Sequence, residues 1–346
     1  MGTYYDGTKL LSMMDKDGNR PEIYLCTTNR TGGKTTFFSR LCVKRFREGK
    51  GKFMLVYRFK NELSNVAEKF FKDINGLFFP DSTMTEKVRA RGQYVELFLD
   101  NASCGYAVAL NCADSLKKFS HLFSDVERMF MDEFQSETNH YCSEETNKFI
   151  SLHTTVARGQ GKQYRYVPVY MCGNPVTILN PYYVALGVCD LLRSDMKFIK
   201  GHGFVLEQGY VQSAGDAQEQ SGVLKAMASS NYVAYNKQGI YLNDSRVFIE
   251  PPPATSLNNY ICTIRHNGAD YAIREFPKLA MLYCDTSVDP GYPIKIAVTT
   301  EDHQINYVML NKYKFMIHNL RYFFDNGCFR FRNQRAKQAI LDMLSY

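Results

Sequence analysis

Short apolar runs alternate with amphipathic stretches over residues 1–200. The apolar runs have the length of strands, and the amphipathic stretches carry apolar residues at helical spacing. This alternation is typical of a mostly parallel sheet whose strands are linked by helices, so the sequence predicts an α/β domain. The predicted strands, of which the third and fourth form a hairpin, are Ile23–Thr27, Phe53–Tyr57, Tyr94–Leu99, Tyr106–Leu110, Met129–Met131 and Tyr166–Cys172. The predicted helices are Thr35–Arg47, Glu62–Ile74 and Glu144–Thr155.

The pattern changes after residue 200. Residues 201–239 are rich in Gly, Ser, Gln and Ala, which indicates a connecting region that we extend over 201–245. Beyond it, an Asn-Gly turn joins the first two of three strand candidates, and a helix, a strand and a last helix follow. These elements are Tyr260–Arg265, Asp270–Phe276, Leu279–Cys284, 312–324, Cys328–Arg332 and 333–344. Residues 246–346 are therefore predicted to form a small α+β domain of the ribonuclease-H type.

Composition excludes several classes of protein. With 45% apolar and 14% aromatic residues, the 346-residue chain is neither disordered nor fibrous. The formal net charge of +7 suits a polyanionic partner without identifying one. No apolar run is long enough to span a membrane, the ten cysteines include no C-x-x-C pair, and the histidines lack zinc-ligand spacing. We therefore expect a cytoplasmic protein with reduced thiols, no membrane partner and no zinc.

The segment Thr28–Thr35 has the composition of a phosphate-binding loop. It follows a predicted strand and opens a predicted helix, and every position except Thr28 fits G-x-x-x-x-G-K-[ST]. Backbone N–H groups would hold the phosphates of ATP, the lysine would neutralise them, and the Thr35 hydroxyl would bind Mg²⁺. The alternative is an ordinary turn with this composition by chance. The candidate nucleotide-binding residues are Asn29, Arg30, Thr31, Gly32, Gly33, Lys34, Thr35 and Thr36.

Two acidic residues follow the predicted strand Met129–Met131. Asp132 is a candidate ligand for Mg²⁺, and Glu133 is a candidate general base that activates the attacking water. An isolated Asp-Glu pair more often caps a turn and faces solvent. Its position downstream of a phosphate-binding loop favours the catalytic interpretation.

Two further polar residues are candidates for catalysis. Asn174 follows the strand Tyr166–Cys172, where it would sense the γ-phosphate, hold the attacking water or merely start a turn before Pro175. Arg158 ends the helix before that strand, where it would reach the nucleotide of a neighbouring subunit as a trans-acting finger or simply complement the helix dipole. Spacing alone leaves these alternatives open.

Taken in order along the chain, these motifs resemble a known family, the DNA encapsidation ATPases of small short-tailed phages with protein-primed genomes. That family is related to the large terminase subunits. The motifs that carry the resemblance are Arg30 before Gly-Gly-Lys-Thr, 57–63, 131–134, 180–182, 247–250, 285–286 with 289–290, and Phe331 with 333–334.

The resemblance implies an ASCE-type P-loop ATPase domain followed by an RNase H-like domain. It also implies a homopentameric ring that drives double-stranded DNA through the portal of a procapsid in the host cytoplasm, with a structural RNA as a further candidate partner. By this resemblance, Lys34 and Thr35 would bind phosphate and Mg²⁺, and Asp132 and Glu133 would be the metal-binding and catalytic acids. Arg158 would be the arginine finger that acts in trans on a neighbouring subunit. Asn174 would couple hydrolysis to motion.

The C-terminal region lacks the converging carboxylates that a metal-dependent nuclease needs. Only Asp285 and Asp289 follow its third predicted strand, so we expect a domain without nuclease activity that binds DNA, the portal or RNA. Seven basic residues against two acidic ones in 310–346 are compatible with phosphate contact. Two alternatives remain, a packaging terminase with a working nuclease and a structural module that binds nucleotide without hydrolysing it.

Overall fold

The computed structural model describes residues 4–191, 196–227, 248–255 and 257–345. The chain divides into two compact units, Met1–Asn243 and Asp244–Tyr346. Within the described residues, no helix combines the length and the apolar character needed to cross a membrane.

The first unit is built on a sheet with nine strands among the described residues, in the order β3-β4-β5-β2-β6-β7-β1-β9-β8. The six neighbours from β5 to β9 are parallel, and antiparallel strands flank them on both sides. The strands are β1 Ile23–Thr27, β2 Lys52–Tyr57, β3 Met84–Arg89, β4 Tyr94–Leu99, β5 Ala102–Ala109, β6 Val126–Asp132, β7 Val169–Gly173, β8 Phe198–Gly201 and β9 Phe204–Gln208.

Helices cover both faces of this sheet. Side chains alternate along each central strand, so Cys26 of β1 packs in one core and its neighbour Leu25 in the other. Two apolar cores explain why the central strands read as continuous apolar runs in the sequence. The helices are α1 Thr8–Ser12, α2 Lys34–Arg47, α3 Val66–Phe78, α4 Ala113–Leu116, α5 Glu145–Val156, α6 Pro181–Ala185, α7 Gln212–Glu219 and α8 Gly222–Ala226. Of these, α2 and α3 cover the first core, and α4, α5 and α6 cover the second.

The α/β prediction for this unit is confirmed, with local corrections. Helix α3 begins at Val66 rather than Glu62, because the Glu62 carboxylate accepts hydrogen bonds from two preceding backbone N–H groups and holds a 3₁₀ turn instead. The predicted hairpin forms as β4–β5, but β5 begins at Ala102 rather than Tyr106 and so includes Gly105. A Cβ atom at Gly105 would lie 2.4 Å from the Phe53 backbone oxygen, so this glycine permits close strand contact. The polar edge strand β3 was not predicted.

The predicted connecting region needs a correction at its start. Strand β9 pairs in parallel with β1 at the middle of the sheet, and β8 pairs with β9, so residues 201–208 belong to the sheet. Helices α7 and α8 follow directly. Val205 and Leu206 supply core residues on opposite faces, and the polar composition of the surrounding residues concealed this short strand. The remainder of the region, 228–245, lies outside the described residues.

The second unit contains a sheet in the order β14-β13-β10-β11-β12-β15. Strands β10, β11 and β12 are antiparallel neighbours, whereas β13, β14 and β15 each pair in parallel. The strands are β10 Asn259–His266, β11 Ala269–Phe276, β12 Met281–Asp285, β13 Lys295–Ala297, β14 Val308–Met309 and β15 Phe329–Phe331, with helices α9 Lys314–Asp325 and α10 Gln334–Leu344. The predicted strands, helices and Asn-Gly hairpin are present, and the very short β13 and β14 were missed.

Candidate nucleotide-binding site

The segment Thr28–Lys34 joins the end of β1 to the start of α2 at the carboxyl edge of the sheet. Gly33 is the residue before the helix and has a left-handed backbone with φ 91°, a conformation that glycine adopts at little cost. It has no side chain to cap the helix, so the first N–H groups of the 14-residue α2 remain directed at the loop. The dipole of α2 adds positive potential, and the loop is therefore suited to bind phosphate.

Buried hydrogen bonds hold this loop from behind. The Asn29 amide donates to the Val211 oxygen at 3.1 Å and accepts from the Val211 nitrogen at 2.9 Å. The Tyr5 nitrogen donates to the Gly32 oxygen at 2.8 Å. The Asn29 contacts fix the loop through the segment after β9, a role for that segment that the sequence did not reveal, and the Tyr5 contact fixes it through the N-terminal segment.

Thr28, the departure from the loop pattern, is accommodated by a hydrogen bond and by a neighbouring glycine. Its hydroxyl donates to the Asn29 oxygen at 3.0 Å, and the side chain is fully buried. Gly209 provides the space, because a Cβ atom there would lie 3.0 Å from the Thr28 Cγ2. A glycine after β9 thus compensates for the missing glycine of the loop.

Lys34 and Asn174 are brought together from distant parts of the sequence. The Lys34 Nζ donates to the Asn174 Oδ1 at 2.6 Å, and Asn174 directly follows β7. The lysine is only 6% exposed, so its ammonium group is held at the loop. A phosphate bound to Lys34 would therefore also lie near the Asn174 amide. Thr35 and Thr36 occupy the first turn of α2.

The two acidic residues, Asp132 and Glu133, lie at the end of β6. Strand β7 separates β6 from β1, the strand that precedes the loop. The Asp132 Oδ1 accepts from the Glu133 nitrogen and from the Cys172 thiol, both at 2.9 Å. Burial raises the pKa of the Glu133 carboxyl, and the negative charges of Asp132 and Glu137 act in the same direction. A carboxylate with a raised pKa is a stronger base, which is the property that activation of water requires.

A buried ion pair that the motif analysis did not single out supports these acids. The Arg58 Nε lies 2.9 Å from the Glu145 Oε2, and Arg58 Nη2 donates to the Phe134 oxygen at 2.9 Å. The Tyr182 hydroxyl donates to the same carboxylate. Arg58 thus fixes the backbone that follows Glu133. Its position directly after β2 is the signal available in the sequence, since polar residues after parallel strands share one edge of the sheet.

Three of these residues, Arg58, Glu133 and Asn174, line a cleft of about 540 Å³. Its walls include Arg30, Glu133, Asn174 and Glu137, and an ion pair of 3.1 Å joins Arg30 to Glu137. Among the described residues, no group of three or more His, Cys, Asp or Glu side chains forms a metal cage. The donors present are the Asp132 carboxylate and the Thr35 hydroxyl, which suits Mg²⁺, an ion that prefers oxygen ligands and keeps its waters and phosphates.

Arg158 lies away from this cleft. It follows α5, is exposed, and its Nε donates to the Thr154 oxygen at 3.2 Å. Gln160, two residues on, donates to the Ser124 oxygen just before β6 begins. Helix α5 runs back across the sheet, so Arg158 belongs to the amino edge, opposite the edge that carries Asp132.

The loop, its helix and the acids on a nearby parallel strand are arranged as in P-loop nucleotide-binding proteins of the α/β class. Residues 2–345 match the family described as Podovirus DNA encapsidation protein (Gp16), and the chain belongs to that family. The resemblance inferred from the motifs is thereby confirmed.

Individual relatives agree with the family. The chain is 24% identical over 305 residues to the DNA packaging protein of Bacillus phage phi29, covering 87% of this chain and 86% of that protein. It is 26% identical over 315 residues to the DNA packaging protein of Bacillus phage B103, covering 90% and 92%. In fold, the chain is similar to a chain of the bacteriophage Phi-29 genome packaging motor assembly, with a TM-score of 0.70, 22% identity and coverage of 98% and 99%.

Proposed function

We propose that this protein is an ATP-driven motor that moves viral double-stranded DNA into a procapsid. The observation that carries the proposal is the convergence of Lys34, Asn174 and the two acids at one edge of the sheet, behind a fixed phosphate-binding loop. The relatives are DNA packaging proteins, and this supports DNA as the substrate that is moved.

In the proposed reaction, the α2 N-terminus and Lys34 bind the phosphates of ATP. Thr35 and Asp132 would hold Mg²⁺, which neutralises charge on the phosphate oxygens. Glu133, with its raised pKa, accepts a proton from the attacking water, and Arg58 keeps the Glu133–Phe134 backbone in position for this transfer. Asn174 contacts Lys34 now and would contact the γ-phosphate instead once ATP binds, a change that β7 would pass to the rest of the unit.

Arg158 supports a shared active site. It cannot serve the cleft of its own subunit, because it lies at the opposite edge of the sheet and is exposed there. An exposed arginine at that edge suits insertion into the cleft of a neighbour, where acidic residues and the developing phosphate charge would attract it. The proposal is therefore a homo-oligomeric ring, a pentamer by family resemblance, attached to the portal of the procapsid in the host cytoplasm. A structural RNA is a further proposed partner.

We propose that 246–346 is an RNase H-like domain without nuclease activity, joined through a connection within 209–245. The strand order β12-β11-β10-β13-β14, with three antiparallel strands extended by two parallel ones, supports that fold, and β15 adds a parallel strand beside β12. Arg274 Nε lies 3.7 Å from Asp285 Oδ2, and Asp285 Oδ1 accepts from the Ser287 nitrogen. A cation beside the candidate carboxylate opposes binding of a catalytic metal ion, so this observation disfavours the nuclease alternative.

The test is the steady-state ATPase rate against protein concentration, with and without double-stranded DNA. We expect a rate that rises more than linearly with concentration and is stimulated by DNA. Glu133→Gln and Arg158→Ala should each abolish most turnover, and a mixture of the two should recover part of it, because one subunit supplies the base and its neighbour the arginine. Arg47→Ala, an exposed arginine at the end of α2, is the matched control. A linear rate insensitive to Arg158 would exclude the shared site, and ATP binding without turnover would favour the structural module.

A further inference from the structure

Asp132 has a buried thiol as its neighbour on the adjacent strand. Asp132 and Cys172 are register partners at the carboxyl ends of β6 and β7. The Cys172 Sγ donates to the Asp132 Oδ1 at 2.9 Å, and the cysteine is fully buried. Because β7 is packed on both faces, the thiol cannot turn away without disturbing the core.

The two hydrogen bonds to the Asp132 carboxylate use the same oxygen atom. Oδ1 accepts from both the Cys172 thiol and the Glu133 nitrogen. Neither of these hydrogen bonds uses Oδ2, the oxygen that would then bind a cation. A thiol suits this role because it is a neutral donor, whereas a lysine or arginine in its place would compete with Mg²⁺ for the same carboxylate.

We propose that Cys172 is a positioning residue that orients Asp132 for binding of Mg²⁺ together with the nucleotide. The inference rests on the proposed role of Asp132 as a metal ligand. Groups that orient a metal ligand without touching the metal commonly change metal affinity by one to two orders of magnitude when removed. A thiol is a weak donor, so we expect the lower end, a loss of about ten-fold.

The experiment measures binding and not turnover. The full-length protein is titrated with Mg²⁺ in the presence of a fluorescent ATP analogue, and the affinity for the analogue alone is measured in EDTA. Cys172→Ser keeps a hydroxyl donor, and Cys172→Val removes the donor at similar volume. Cys104→Val is the matched control, since Cys104 is also fully buried on a strand of the same sheet but lies two strands away from β6.

We expect Cys172→Val to raise the Mg²⁺ concentration at half-saturation by about ten-fold, while Cys172→Ser and Cys104→Val stay near wild type. Affinity in EDTA should be the same in all four proteins. If Cys172→Val matches wild type, or if it weakens binding equally in EDTA, the positioning role is overturned. Asp132→Asn separates the two proposals: if it leaves the Mg²⁺ titration unchanged, Asp132 is not a metal ligand, and both the assignment and this inference fail.

Discussion

The buried pair of Arg58 and Glu145 gives the sharpest test of how the site is supported. Both side chains are withdrawn from water, with relative exposures of 9% and 1%. Removing one partner of such a pair leaves an uncompensated buried charge, which typically costs about 3–5 kcal/mol. Arg58→Met should therefore destabilise the first unit by about that amount, and it should also release the Phe134 carbonyl that Arg58 holds.

The assay is urea unfolding of the full chain followed by far-UV circular dichroism, which suits a protein without tryptophan. At roughly 1–3 kcal/mol per molar urea, the loss corresponds to a midpoint lower by about 1 M or more. Arg58→Met combined with Glu145→Met should be less destabilising than the sum of the single changes, because no isolated charge then remains. Lys117→Met, which breaks an exposed ion pair with Asp114, is the control and should leave the midpoint unchanged.

A midpoint shift for Arg58→Met no larger than that for Lys117→Met, or strict additivity of the single and double variants, would refute the role of the buried charge. The ATPase rate adds a second readout. Without urea, and at a temperature well below the unfolding transition, the Arg58→Met protein should still bind nucleotide. It should hydrolyse the nucleotide slowly, because the backbone after Glu133 is no longer fixed. Normal turnover in a folded Arg58→Met protein would show that this anchoring is dispensable.

Three further expectations concern separate features. Glu133 must be ionised to act as a base, and its pKa is raised. The ATPase rate should therefore fall on acidification at a pH above the ordinary pKa range of a glutamate. A pH–rate profile that falls only within that ordinary range would contradict this. Gly105→Ala should destabilise the protein by roughly 1–3 kcal/mol in urea unfolding through its clash with Phe53, whereas Gly76→Ala, in open space on α3, should be neutral or stabilising; equal effects would refute the clash. Asn333→Ala should cost about 1 kcal/mol by removing the cap of α10, and Asn333→Ser should restore most of it; the thermal midpoint reports both, and equal midpoints for the two would contradict the cap.

Local sequence was sufficient wherever a few consecutive residues determine a structure. The candidate phosphate-binding loop, the Asn267–Gly268 turn and the Asn333 cap each depend on backbone conformation and hydrogen bonds within a short segment. The central parallel strands were visible because burial on both faces requires a continuous apolar run. The short motifs distributed along the chain, taken in order, were also sufficient to identify the family.

Other features depend on contacts between distant residues, and no local pattern encodes them. Arg58 and Glu145 form their ion pair although 87 positions separate them in the sequence. Thr28, at the end of β1, is accommodated because Gly209 follows the neighbouring strand β9. The edge strand β3 and the short strands β13 and β14 have too few apolar residues to stand out, and pairing with their neighbours defines them.

Local motifs therefore determined which reactive residues the candidate site contains. The sheet determined how those residues are arranged in space. Parallel strands bring the ends of β1, β2, β6, β7 and β9 to one edge, so residues far apart in sequence converge there. The same topology sends α5 back across the sheet and leaves Arg158 at the opposite edge. Residue types determine which reactions are available, and the pairing order of the strands determines which residues act together.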